Sequence, residues 1–391
     1  MRHKSAVVVT GVRRCGKSTL LFQVMDRFFS KGFFYLNFAD ERLNDFETRD
    51  FQVLHEILIK EFGDQKTFFL DEPQGKNGWN QFVNRLYENG YKFFITGSNA
   101  ELLSKEISTY LTGRHMDFPL FPFSFKEMLS FRNAGKTIRS TQDKVQIESA
   151  FEKYMEKGGF PEVWTQENTD ILVKVYDDII NKDILVRHQV KDQKTFKDLA
   201  LFLISNCGKE FSYNALKKQF NLGSPNTAKT FVGYLTDAFL LIEINQFDFS
   251  LKKQGFLPKK IYGIDTGLVN KMGFRLSDDN GRLLENIVLL ELLRQNQKVF
   301  YWKDDKQREV DFLIIEKNKV KEAIQVSFEL SDAKTKDREI TGLISAMKKF
   351  NLQTGTILTR HTEKSEKADN KTIHFIPVWK WLIENDQSAE H

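Results

Sequence analysis

The stretch Val7–Leu21, VVVTGVRRCGKSTLL, constrains this chain more than any other. An apolar run of strand type breaks at Gly11, passes two arginines and Cys15, and resumes as an amphipathic run behind Gly16, Lys17 and Ser18. The spacing is G-x-x-x-x-G-K-[ST] without a mismatch, in the strand–loop–helix setting the motif requires. Glycines let backbone N–H groups turn inward on a phosphate, and a lysine at this place reaches the outer phosphates of a nucleotide. The helix behind the loop adds its positive end. Gly11, Val12, Arg13, Arg14, Cys15, Gly16, Lys17, Ser18 and Thr19 are therefore read as a cradle for ATP, with the Ser18 hydroxyl a ligand for Mg2+. A chance glycine-rich turn would lack the strand before it and the helix after it.

Chemistry at such a cradle needs a carboxylate for the metal and a group that orients water. TFFLDEP ends an apolar run with Asp71, read as a metal ligand, and Glu72, read as the group that polarises the attacking water. A helix cap or a solvated acidic pair is the plainer reading of that dipeptide taken alone. The next run, FFITGSNAELLS, closes on Ser98 and Asn99. Either suits sensing of the outer phosphate, and either suits capping of the helix that follows. Arg114, in LTGRHMDFPL, stands where a ring or dimer ATPase offers an arginine to its neighbour; the alternative is a local pair with Asp117.

The rest of the chain falls into segments. Over 1–130, strands AVVVT, GFFYLNF, KTFFLDE, YKFFITGS and MDFPL alternate with helical patterns, the signature of a parallel α/β sheet. Residues 131–192 read as a small helical lid, 193–260 as a winged-helix unit, and 261–391 as a further α/β domain. In the third segment, Ser224 and Pro225 open a helix that exposes Asn226, Lys229 and Thr230 and buries Ala228, Phe231 and Leu235. With Lys217 and Lys218 one helix earlier, these would contact duplex DNA; a protein-contact surface is the competing reading.

Composition sets bounds. The 391 residues are 41% hydrophobic and 28% charged, with a net charge of +5, which permits nucleic-acid contact without arguing for it. The 36 phenylalanines read as compositional bias, not a binding surface. Two cysteines, Cys15 and Cys207, give neither a disulfide framework nor a metal-spaced cluster, which suits a reducing, cytoplasmic setting. The most apolar helical run, LLENIVLLELL, carries Glu285 and Glu291 and is expected to be a buried helix, so no membrane is expected as partner.

Taken together, GVRRCGKST, FFLDEPQ with the following GW, ITGSNAELLS, TGR with FPL, and GGFPEVW resemble a family of prokaryotic AAA-type P-loop ATPases. The resemblance spans nearly the whole chain. It implies a five-stranded parallel ATPase core with helical lid, winged helix and a C-terminal restriction-endonuclease-like domain. It also implies Glu72 as catalytic glutamate and Arg114 as an arginine finger, hence a homo-oligomer if Arg114 acts in trans. This chain begins almost at its first strand, so adenine contacts from a preceding segment would be supplied differently.

A nuclease of that fold needs acids from a helix and a strand start, then an E-x-K pair on the next strand. Glu285 and Asp311 supply the first two, but Gln325 and Ser327 stand at the pair. A neutral amide is a poor Mg2+ ligand, and serine holds no positive charge. The site is therefore expected to be degenerate, with Glu285 and Asp311 left over or satisfied by a basic neighbour such as Arg308. The leading expectation is Mg2+-dependent ATP hydrolysis coupled to movement of the lid and winged helix on DNA. The alternative is a nucleotide-gated protein-interaction switch with slow turnover.

Overall fold

The computed structural model describes residues 5–29, 31–99, 113–135, 137–274, 280–330 and 332–384. The chain forms two compact units, one running to Phe121 and including Asp237–Phe239, the other comprising Pro122–Thr236 and Leu240 onward.

The first unit is built on a five-stranded parallel sheet ordered β2-β3-β4-β1-β5. Its strands are β1 (Ala6–Thr10), β2 (Phe34–Asn37), β3 (Thr67–Asp71), β4 (Lys92–Gly97) and β5 (His115–Pro119). Parallel strands need crossovers, supplied here by helices α1 (Lys17–Phe28), α2 (Asp50–Phe62) and α3 (Trp79–Glu88). The helix expected behind Asn99 lies outside the described residues.

Phenylalanine holds this sheet together. Register pairs Phe68 with Phe93 and Phe69 with Phe94, and alternation sends the two pairs to opposite faces. Each pair stacks, with ring centroids 5.4 Å and 4.6 Å apart. Phe51 and Phe82, from α2 and α3, complete one face, while Leu21 and Met25 from α1 cover the other. The phenylalanine excess is thus partly spent on the core, each buried ring contributing about 1.5–3 kcal/mol.

The second unit opens with helices Phe125–Phe131, Thr141–Lys157, Pro161–Gln166 and Ile171–Asp178, followed by a π-helix over Ile179–Val186. Capping boxes at Ser124 with Glu127 and Ser140 with Asp143 start the first two. Asp265 caps helix Thr266–Met272 through Leu268 N (2.9 Å) and also accepts from Gly159 N (2.5 Å), tying the GGFPEVW turn to that helix.

Helices Gln193–Ser205, Tyr213–Gln219 and Pro225–Asp237 accompany a small antiparallel sheet ordered β6-β8-β7. Its strands are β6 (Glu210–Phe211), β7 (Leu241–Asn245) and β8 (Lys259–Gly263). The division expected between residues 260 and 261 therefore falls inside β8, because that strand pairs backward with β6 and β7.

Beyond it, helix Asn280–Arg294 is buried along most of its length, as its run of leucines requires. A six-stranded mixed sheet follows, ordered β13-β14-β12-β11-β10-β9. These strands are β9 (Lys298–Lys303), β10 (Glu309–Glu316), β11 (Lys319–Ser327), β12 (Thr354–Thr359), β13 (Lys364–Ala368) and β14 (Lys371–Pro377). Among the described residues no helix is long and apolar enough to cross a membrane.

Candidate functional site

Strands β1, β3 and β4 deliver the sequence-marked residues to the C-terminal edge of the first sheet. In open parallel sheets that edge is where ligands bind. Gly11 N donates to Gly97 O at 3.3 Å, tying the cradle loop to the end of β4. A Cβ at Gly11 would fall 2.2 Å from Leu120 O, so this turn admits only glycine. Gly16 adopts φ 108° and begins α1 with no side-chain cap, and the first turn of α1 carries no acid. The helix thus presents uncapped N–H groups and its positive end to the loop.

Within the loop, Val12 and Cys15 are buried, while Arg14 and Thr19 face solvent and Arg13 and Ser18 are half-buried. Burial pushes the Cys15 thiol up against the opposing pull of Lys17, so it remains a protonated filler and not a reactive thiolate.

Lys17 is only 5% exposed. Its ammonium donates to Gly11 O at 3.0 Å and Val12 O at 3.2 Å, and lies 3.3 Å from Glu72 Oε1. Glu72 sits in the turn after β3 at φ 52° and ψ 43°, in the left-handed region, even though a following proline, here Pro73, favours an extended backbone. Its other oxygen, Oε2, accepts from Ser98 Oγ (2.9 Å), Ser98 N (3.1 Å) and Gln74 Nε2 (2.5 Å). Burial by itself would raise this carboxyl; the Lys17 charge and the Gln74 and Ser98 hydrogen bonds outweigh it and hold the group below the usual glutamate range.

Asp71, the last residue of β3, is 3% exposed. Thr96 Oγ1 donates to its Oδ1, and Tyr35 OH donates to Oδ2 at 3.3 Å. Burial and the Asp71 charge push the Tyr35 hydroxyl up, so it stays protonated and keeps donating. A buried carboxylate fixed on both oxygens and a serine hydroxyl on the loop are hard oxygen donors, the kind that Mg2+ takes. Of the two residues that sequence left open, Ser98 is the one bonded to Glu72, while Asn99 is buried beside it in sequence.

Arg114 is half exposed and stands 3.8 Å from Glu88, with Tyr87 beneath it. The alternative reading, a pair with a local acid such as Asp117, is met by Glu88, while Asp117 lies 3.4 Å from His115.

Residues 3–129 match the AAA domain family. Residues 148–280 and 280–381 match two domains of unknown function, DUF8612 and DUF4143. An uncharacterized protein of Methanocaldococcus jannaschii is 37% identical across 96% of this chain and 88% of its own length. An uncharacterized protein of Haemophilus influenzae is 31% identical across 96% of this chain and 94% of its own.

This chain belongs to the AAA-type P-loop ATPase family.

The ADP form of the Aeropyrum pernix ORC2 protein is a remote structural likeness, at 13% identity over 75% of this chain and 88% of that one, with a TM-score of 0.33 that carries no inference of its own. Sequence reading missed Tyr35 and Thr96 as partners of Asp71, which meet it only through the folded sheet, and Gln74, which meets Glu72 through the turn between them.

In the second unit, the helix of Pro225–Asp237 exposes Asn226, Lys229 and Thr230 and buries Ala228 and Leu235, with Phe231 half-buried against Phe196. Ser224 Oγ accepts from Thr227 N at 3.1 Å, as a cap does. Lys218 is exposed and Lys217 half-buried.

In the second unit, Glu285 from the buried helix meets Asp311 through a shared cation, and Gln325 accepts from Asp311 N, but that cation differs from the expected one. Lys260, on β8, lies 2.8 Å from Glu285, 3.1 Å from Asp311 and 2.6 Å from Glu309. Arg308 instead bonds Asp304, four residues before it, as its i,i+4 spacing favours. Gln325 bridges Asp311 N and Glu339, and Ser327 Oγ donates to Glu329 O. Burial, then the Glu285 charge, raise the Asp311 carboxyl to about 7 against the pull of Lys260. Burial opposes the charge on Lys260, but the surrounding carboxylates outweigh it and hold its pKa well above that of an ordinary lysine. No signal in the sequence marked Lys260, because it comes from a strand of a different sheet.

Proposed function

We propose that this protein hydrolyses ATP in a Mg2+-dependent reaction and couples the cycle to movement of its second unit on duplex DNA. The observation that carries the reading is the meeting of Lys17 and Glu72 at 3.3 Å, which puts a phosphate-binding cation and a candidate base in one site.

ATP phosphates entering the loop compete for the Lys17 ammonium, now held by Gly11 O, Val12 O and Glu72. An anion bearing several charges is a stronger partner than two neutral carbonyls. Transfer of Lys17 to the phosphates leaves Glu72 Oε1 open to accept a proton, while Oε2 remains held by Ser98 and Gln74. Water oxygen attacks the terminal phosphorus, its proton passes to Glu72 Oε1, and the bond to the bridging oxygen breaks, giving ADP and phosphate. Mg2+, when bound by Ser18 and Asp71, supplies neutralisation of charge on the phosphate oxygens. Arg114 serves the site of a second copy, so the working species is an oligomer. Asn226, Lys229, Thr230, Lys217 and Lys218 contact DNA.

ATP turnover at two protein concentrations, with and without duplex DNA, tests the coupling. Stimulation by DNA and a specific activity that drops on dilution support it. Turnover indifferent to both removes DNA and the oligomer from the reading, and favours a nucleotide-gated protein-interaction switch.

A further inference from the structure

Glu72 is held unevenly. Its Oε2 accepts three hydrogen bonds, whereas among the described residues Oε1 faces only the Lys17 ammonium. One of the three donors is Gln74, two residues on in the same turn. Chemistry fixes which way this amide points, because only its NH2 end can donate to a carboxylate. Its carbonyl oxygen is consequently buried with no partner among the described residues.

Native proteins keep few such orphaned acceptors, and each calls for an explanation. A second unfavourable feature lies beside it, the left-handed backbone of Glu72. Both features serve the same end, which is the placement of one carboxylate. The turn has anchors besides Gln74, since Pro73 is buried and Lys76 donates to the carbonyls of Leu43 and Asn44. An apolar side chain of the same length would satisfy packing and leave no orphan.

We propose that Gln74 is a positioning residue of the hydrolytic site, fixing one oxygen of Glu72 so that the other is presented to the attacking water. The inference rests on Glu72 acting as the base. With Ser98 alone the carboxylate keeps its anchor at one side only and rotates more freely about its last torsion.

The test is Gln74→Leu in the full chain, measured for ATP turnover, nucleotide affinity and thermal unfolding, beside Glu72→Gln. The expected result is a kcat lower by roughly 10- to 100-fold, the scale of a misplaced reacting group. Nucleotide affinity should be unchanged and Tm equal or higher. A wild-type kcat overturns the proposal. So does a loss of activity accompanied by lower Tm or weaker nucleotide binding, which marks a merely structural role. Hydrolysis surviving in Glu72→Gln overturns the underlying reading instead, and so the two failures are distinguishable.

Discussion

Lys17 Nζ stands 3.3 Å from Glu72 Oε1, so the cation suited to phosphate and the carboxylate suited to water hold each other. The Lys17 charge thereby offsets the cost of burying the ionised Glu72 carboxyl. Lys17→Met should weaken ATP binding roughly 10- to 100-fold, the equivalent of ~1.5–3 kcal/mol for hydrogen bonds to a charged group. It should also raise the Glu72 carboxyl, since the Lys17 charge is what chiefly offsets burial there. Titration calorimetry with ATP and NMR of a labelled glutamate check the two effects.

Tyr35 and Thr96 bracket Asp71 from neighbouring strands. Partners of a ligating carboxylate orient it, and their loss typically weakens metal binding by about 10-fold or more. Tyr35→Phe and Thr96→Val should each raise the Mg2+ concentration needed for half-maximal turnover on that scale, with little change in kcat at saturating metal. Mn2+ binding followed by electron paramagnetic resonance reads the same effect without turnover.

Among the described residues, Arg114 pairs with exposed Glu88 at 3.8 Å, a pair worth at most about 1 kcal/mol. It can leave Glu88 for a phosphate at little cost. Arg114→Ala should lower kcat roughly 10³-fold, the lower range for an arginine finger. Mixing it with inactive Glu72→Gln should restore part of the activity, because each variant carries the group the other lacks. Absence of any restoration at high concentration argues for action in cis.

Lys260 compensates Glu285, Glu309 and Asp311 in the interior of the second unit. Lys260→Met leaves those acids without their cation and should cost about 3–5 kcal/mol of stability near neutral pH. The sign with pH follows from Asp311, whose carboxyl stands near 7 folded against an ordinary 3.8. Between those values the native state holds more protons than the unfolded one, so stability contributed here falls as pH rises. The variant's penalty should therefore be greater at pH 8 than at pH 5, which chemical denaturation at the two pH values measures.

What sequence made legible was local. The cradle reads directly from Gly11 to Ser18, because its chemistry depends on residues adjacent in the chain, and Asp71 with Glu72 reads from the end of an apolar strand. Tyr35 acts on Asp71 across 36 positions and Lys260 on Asp311 across 51. Such meetings are products of strand order, which parallel crossovers and mixed sheets create and periodicity does not encode. Gln74 lies only two residues from Glu72, yet its role depends on a left-handed turn that the string DEPQ does not announce. The second unit shows the same limit: β8 joins β6 and β7, a pairing that moved the expected division at residue 260 into the middle of a strand.

The most direct measurement is steady-state ATP turnover at saturating Mg2+ by the wild type and Glu72→Gln, with ATP affinity determined for both. Removal of a general base costs typically 10²–10⁴-fold. The expected result is tight ATP binding by both proteins and turnover by the wild type alone, with Glu72→Gln slower by at least about 100-fold. Equal turnover by the two proteins, or ATP binding without turnover in either, contradicts hydrolysis through Glu72.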